Sequence, residues 1–136
     1  LGFVLDAHSA QRLVGVHPDL VKVVRDCAQN GVMPFTFGVT EGLRTLAQQQ
    51  KNVAAGASQT MRSRHLDGHA VDLVVLIDGA ISWAWPPYDA LAEQMKAAAA
   101  RCNVPIEWGG SWATLKDGCH YQLPWGIYPS ADAAVS

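Results

Sequence analysis

The chain has 136 residues, 49% hydrophobic and 16% charged, with ten Lys plus Arg against twelve Asp plus Glu and a formal net charge of -2. This is enough apolar material for one packed core and short for two, so a single domain over residues 1–136 is expected and wholesale disorder is excluded. No basic block stands out, which excludes a binder of the nucleic-acid backbone, and no apolar run approaches the roughly 20 residues of a membrane-spanning helix.

In chain order, Pro18 followed by Leu20, Val21, Val23, Val24 and Cys27 predicts a helix over 18–29, ended by Asn30-Gly31. Alternating Phe35, Phe37 and Val39 predict a strand. A Gln- and Ala-rich helix follows over 43–54, led in by Thr40 or Glu41 and closed by Gly56; 58–68 has no period and reads as a loop. The β-branched run 70–77 predicts a buried strand, and Asp78-Gly79 a hairpin with its return strand at 81–85. Pro86-Pro87 reads as a chain break before a helix over 88–102. Short strands are expected at 104–108 and 119–123 around a turn at Gly109-Gly110, with fraying over 130–136. This order predicts an α+β fold with a mainly antiparallel sheet. Cys27, Cys102 and Cys119 are odd in number and lack a CxxC, which excludes a disulfide framework and a zinc ribbon. No charged start followed by an apolar run marks a secretory signal.

The informative segment runs from Ser63 to Asp72. Asp72 interrupts an apolar strand, and burying a bare carboxylate is costly unless it is paired, hydrogen-bonded or metal-bound. It is either a partly exposed strand-end residue or the partner of a cation, and nearby His65 makes a donor pair suited to Zn²⁺. Gly68 lets the chain bend between them. His120 opens a later apolar strand; taken alone, such a histidine is more often structural than a ligand. Asp117 lies three residues earlier, so Gly118 must break the strand if both side chains are to reach one site. His69 invites an HxxxH pairing with His65, but Gly68 and the following strand argue against a helix there. Cys119 and His120 point to opposite faces of a strand, which disfavours a Cys–His nucleophile pair. Glu107 reads as a second carboxylate touching or supporting the site, or as a strand-end charge. Of the five tryptophans, Trp112 is best placed at the rim, the others reading as packing. His8 and His17 have no partner in sequence and read as surface or capping residues.

Together, SxHxxGxAxD at 63–72, the WGG turn at 108–110 and DxxH at 117–120 resemble the zinc peptidases of the D-alanyl-D-alanine carboxypeptidase and phage endolysin type. Those enzymes share a fold with the hedgehog signalling domain. Arg64 and His69 extend the match, since SRHLDGHAVDL is close to the form in phage L-alanyl-D-glutamate peptidases. GVHPDL at 15–20, TEGLR at 40–44, GAS at 56–58 and HYQLPW at 120–125 carry the resemblance over nearly the whole chain. It implies a hedgehog/DD-peptidase-like fold of antiparallel sheet and packed helices. It also implies Zn²⁺ on His65, Asp72 and His120 with a fourth position for water, and Asp117 as the catalytic carboxylate. Arg44 is implied to hold a substrate carboxylate or the developing oxyanion, and Ser63 to hydrogen-bond the substrate or the site. The chemistry is coherent, because zinc acidifies water and polarises a carbonyl, a carboxylate relays the proton, and arginine grips carboxylate with two bonds. Many relatives carry Pro where this chain has Cys119 and Asp where it has Ser111.

The substrate implied is the peptidoglycan stem peptide, cut at its L-alanyl-D-glutamate bond in a phage or prophage lysis role. Synthesis is then in the host cytoplasm and action on the cell wall in the periplasm, with a holin for release and a monomer expected. The alternatives are a D-alanyl-D-alanine carboxypeptidase and a catalytically silent zinc- or wall-binding domain. Asp117 beside a full ligand set favours an enzyme.

Overall fold

The computed structural model describes residues 2–55, 63–113 and 116–129. The elements are α1 (Ala7–Arg12), α2 (Pro18–Asn30), β1 (Thr36–Glu41), α3 (Leu46–Ala54), a 3₁₀ turn (Arg64–Asp67), β2 (Ala70–Ile77), β3 (Ala80–Ser82), α4 (Trp85–Cys102), β4 (Glu107–Trp108), a second 3₁₀ turn (Gly109–Ser111) and β5 (His120–Gln122). Gly56, residues 58–62 of the expected loop and the 130–136 tail lie outside the described residues.

β2 organises the sheet. β1 pairs antiparallel along one edge of it. β5 pairs with its first residues and β3 with its last along the other edge, and β4 lies outside β5. Alternation along the strands sorts the side chains. Val71, Leu73 and Val75 join Phe37, Val39, Tyr121 and Leu123 in a core packed with the apolar faces of α2 and α4. Asp72 and His120 fall on the alternate positions and face the other side. There α1 lies against β1, where Ser9 Oγ accepts the Val39 amide at 2.9 Å.

The expectations hold best where chemistry is local. α2 begins where proline fits a first turn, and His17 caps it by accepting the Asp19 amide at 3.0 Å. The hairpin turn has positive φ at both Asp78 and Gly79, as a two-residue connection demands. Three details differ. Pro86 and Pro87 do not break the chain but sit in the first turn of α4, where the missing N–H groups would have no helical partner, so α4 starts earlier and the return strand is shorter. α3 starts at Leu46 because Thr45 caps it, accepting the Gln48 amide at 3.1 Å. α1 was not expected; its six residues depend on Asp6 accepting the Ser9 amide at 2.7 Å. The three cysteines are free, and among the described residues no helix is long and apolar enough to cross a membrane.

Candidate metal centre

Sheet register builds half of the site. Asp72 on β2 lies directly across from His120 on β5. His65 arrives from the 3₁₀ turn, where Ser63 Oγ accepts the His65 amide at 3.2 Å. Gly68 turns the chain back at a φ of 71°, and a Cβ there would sit 2.3 Å from the Gly15 carbonyl oxygen, so only glycine fits. The turn is held from outside as well: the Arg44 amide donates to the His65 carbonyl and the His17 amide to the Gly68 carbonyl, both at 2.8 Å.

His65 Nε2 and His120 Nδ1 each lie 3.3 Å from the same oxygen, Oδ1 of Asp72. The donor atoms of the three residues all fall within 4.8 Å of one another, an arrangement that could hold a metal ion. On its far side, His65 Nδ1 is 2.8 Å from the Gly42 carbonyl. A carbonyl only accepts, so Nδ1 carries a proton and, in the neutral ring, the Nε2 lone pair faces Asp72. A lone pair and a carboxylate oxygen aimed at each other at this distance call for a cation between them, which the His–Asp–His donor set suits. Burial works against ionised Asp72, yet the His120 and His65 rings, when charged, donate hydrogen bonds to it and hold its pKa well below the ordinary carboxylate value. Burial likewise opposes charge on His120, but Asp72 overcomes it and raises that pKa.

Asp117 stands beside this group. Gly109 makes its approach feasible: a Cβ on Gly109 would lie 2.5 Å from the Asp117 carbonyl oxygen and 3.2 Å from His120 Cβ. The loop closes with the Asp117 amide donating to the Gly109 carbonyl at 3.0 Å and the Cys119 amide donating to Asp117 Oδ1 at 3.2 Å. Burial first, and then the negative charge of Asp72, raise the Asp117 pKa above the ordinary value. Arg44 is gripped by Glu41, whose carboxylate accepts from Nε and, at 2.7 Å, from Nη2; Nη1 reaches Ser63 Oγ at 3.5 Å. The charges of Asp72 and Asp117 both act on Arg44. The Trp112 ring lies 5.2 Å from the His120 ring, tilted by 49°.

Other candidates fall elsewhere. His69 packs on the rings of His17 and Tyr128 and takes no part in the three-residue cluster. Burial pushes the Cys119 thiol up to about 11, the reverse of an activated nucleophile. Glu107 meets Gln122 instead of the three converging side chains. Glu41, Gly42 and Gln122 were not picked out as site residues from sequence. Arg64, noted only as part of the motif, is a buried tie whose guanidinium donates to Asp67, to the Leu123 carbonyl and to the Tyr128 carbonyl, with its carbon 4.1 Å from the Trp125 ring centroid.

The sequence model of the family described as phage L-alanyl-D-glutamate peptidase matches residues 1–122. The chain belongs to that family. It is 28% identical over 132 residues to the L-alanyl-D-glutamate peptidase of Escherichia phage T5, covering 94% of each protein. Identity to the Listeria phage enzyme of the same name is 38% over 99 residues, which are 73% of this chain and 33% of that one. Among solved structures, the Serratia marcescens L-Ala D-Glu endopeptidase ChiX superposes with a TM-score of 0.86 at 48% identity, over 96% of this chain and 95% of the other. The family's hedgehog/DD-peptidase architecture, an antiparallel sheet with packed helices, is the one seen here.

Proposed function

We propose that this chain is a zinc-dependent L-alanyl-D-glutamate peptidase acting on peptidoglycan stem peptides during phage lysis. The observation that carries the metal assignment is the convergence of His65 Nε2, His120 Nδ1 and Asp72 Oδ1. His65, Asp72 and His120 would hold the ion. When bound, zinc supplies Lewis-acid polarisation of the scissile carbonyl and acidification of water.

The remaining work belongs to side chains. Asp117 accepts the proton of the attacking water and returns it to the leaving amine. Its raised pKa makes it a stronger proton acceptor than an ordinary surface carboxylate, and the proton it takes passes to the leaving amine within the same turnover. Arg44, held through Nε and Nη2 by Glu41 and near Ser63, would bring its positive charge to a substrate carboxylate such as that of the D-glutamate residue. Trp112, beside the His120 ring, is placed to pack against a bound stem peptide. Synthesis in the host cytoplasm, holin-assisted release and action at the wall by a single-domain monomer complete the proposal.

The test is digestion of purified sacculi with mass spectrometry of the products, run beside metal analysis of the same preparation. New L-alanyl carboxyl ends and D-glutamyl amino ends, with about one zinc per chain, are expected. Release of free D-alanine instead would make the chain a carboxypeptidase, and zinc binding without cleavage would make it a silent domain.

A further inference from the structure

His65 and His120 reach Asp72 through different nitrogens, and their far sides are managed differently. For His65 the Gly42 carbonyl settles which nitrogen is protonated. For His120 a side-chain amide takes that place. Its Nε2 lies 2.7 Å from Oε1 of Gln122, two residues along β5 and on the same face. Gln122 is buried, and its amide nitrogen donates to Glu107 Oε2 at 3.4 Å. Register supports that contact, since Glu107 on β4 is the residue directly opposite Gln122.

A glutamine amide can turn either its oxygen or its NH₂ toward an imidazole, so Gln122 alone does not choose a tautomer. A carboxylate removes the choice. Glu107 only accepts, so it takes the NH₂ of Gln122 and the amide oxygen turns to His120. That oxygen only accepts in turn, so the proton of His120 sits on Nε2 and the Nδ1 lone pair is open toward Asp72. Without this direction, Asp72 Oδ1 at 3.3 Å would draw the proton to Nδ1 and block the nitrogen that faces the centre. We propose that Glu107 and Gln122 are positioning residues that fix His120 as the Nε2–H tautomer and thereby keep Nδ1 free for the metal. The purpose rests on the metal reading above, while the tautomer itself is a property of the metal-free chain.

The experiment reads both. Long-range proton–nitrogen correlation spectra of histidine-labelled, metal-free protein, taken above the pH at which the imidazolium titrates, report the tautomer. Competition with a chromophoric chelator gives the zinc affinity. Wild type should show Nε2–H at His120. Gln122→Leu should shift His120 toward Nδ1–H and weaken zinc by about 10–100-fold, the range for lost partners of ligating histidines. Glu107→Gln, a change of the same size on a half-buried side chain that spares the core, should give a mixture of tautomers and a smaller loss of affinity. Nδ1–H in wild type, or Glu107→Gln with both tautomer and zinc affinity unchanged, would overturn the proposal. Absence of zinc binding by wild type would overturn the metal reading instead, with the tautomer still decided on the metal-free chain.

Discussion

Replacing Asp117 with asparagine keeps the shape of the side chain and the oxygen that accepts the Cys119 amide at 3.2 Å. The Asp117 amide still donates to Gly109, so the loop between the Gly109–Ser111 turn and β5 keeps its closure. The converging donors are His65, Asp72 and His120, and removing a negative charge beside Asp72 leaves all three in place. What disappears is a carboxylate able to take a proton. General acid–base catalysis contributes about 10²–10⁴ in rate, which at about 1.36 kcal/mol per tenfold is about 3–5 kcal/mol of barrier. Turnover on a stem peptide should therefore fall by that factor, while zinc content and melting temperature stay near wild type. Zinc, turnover and thermal melting measured on one preparation decide it. Turnover near wild type would remove Asp117 from the mechanism, and lost zinc would make it a ligand.

His65→Ala, Asp72→Ala and His120→Ala should each lose zinc by elemental analysis, and chelation of wild type should lower its melting temperature with recovery on adding zinc, because a metal bound only to the folded state stabilises it. Metal-free protein should be most stable between about pH 3.8 and 6.5. The lowered Asp72 pKa gives stability present above its unfolded value and lost as pH falls, while the raised His120 pKa gives stability present below its unfolded value and lost as pH rises; melting temperatures across pH should show the maximum, and Asp72→Asn should flatten it. Arg64→Met should destabilise by about 3 kcal/mol, since the Leu123 and Tyr128 carbonyls lose a charged donor at about 1–3 kcal/mol each; an unchanged denaturation midpoint would show that the tie contributes nothing.

How legible each feature was in the sequence follows from the range of the forces behind it. β2 and its hairpin were readable because β-branched residues and Asp-Gly state their preferences locally. α2 was readable from an apolar stripe bounded by proline and glycine. The six residues of α1 are too few for a period to emerge. Pro86-Pro87 was ambiguous, since the same pair that ends one element suits the first turn of the next. At the centre, His65, Asp72, Asp117 and His120 stood out as a motif, and the fold brings them together. Gln122 and Glu107 are 15 residues apart and meet only through the pairing of β4 with β5. The Gly42 carbonyl bonds a ring 23 residues away. No local pattern encodes such meetings.

The shared edge of β2 has a further consequence. β5 and β3 lie end to end along it, and Asp72 meets His120, the first residue of β5. A slip of one residue in either strand would swing the carboxylate or the imidazole to the opposite face of the sheet, into the company of Leu73 and Tyr121. A mispaired sheet would then present only fragments of the donor set. On the metal reading proposed above, capture of an ion would reward one alignment of two strands and ignore the others, so loading would double as an inspection of whether the chain has folded in register.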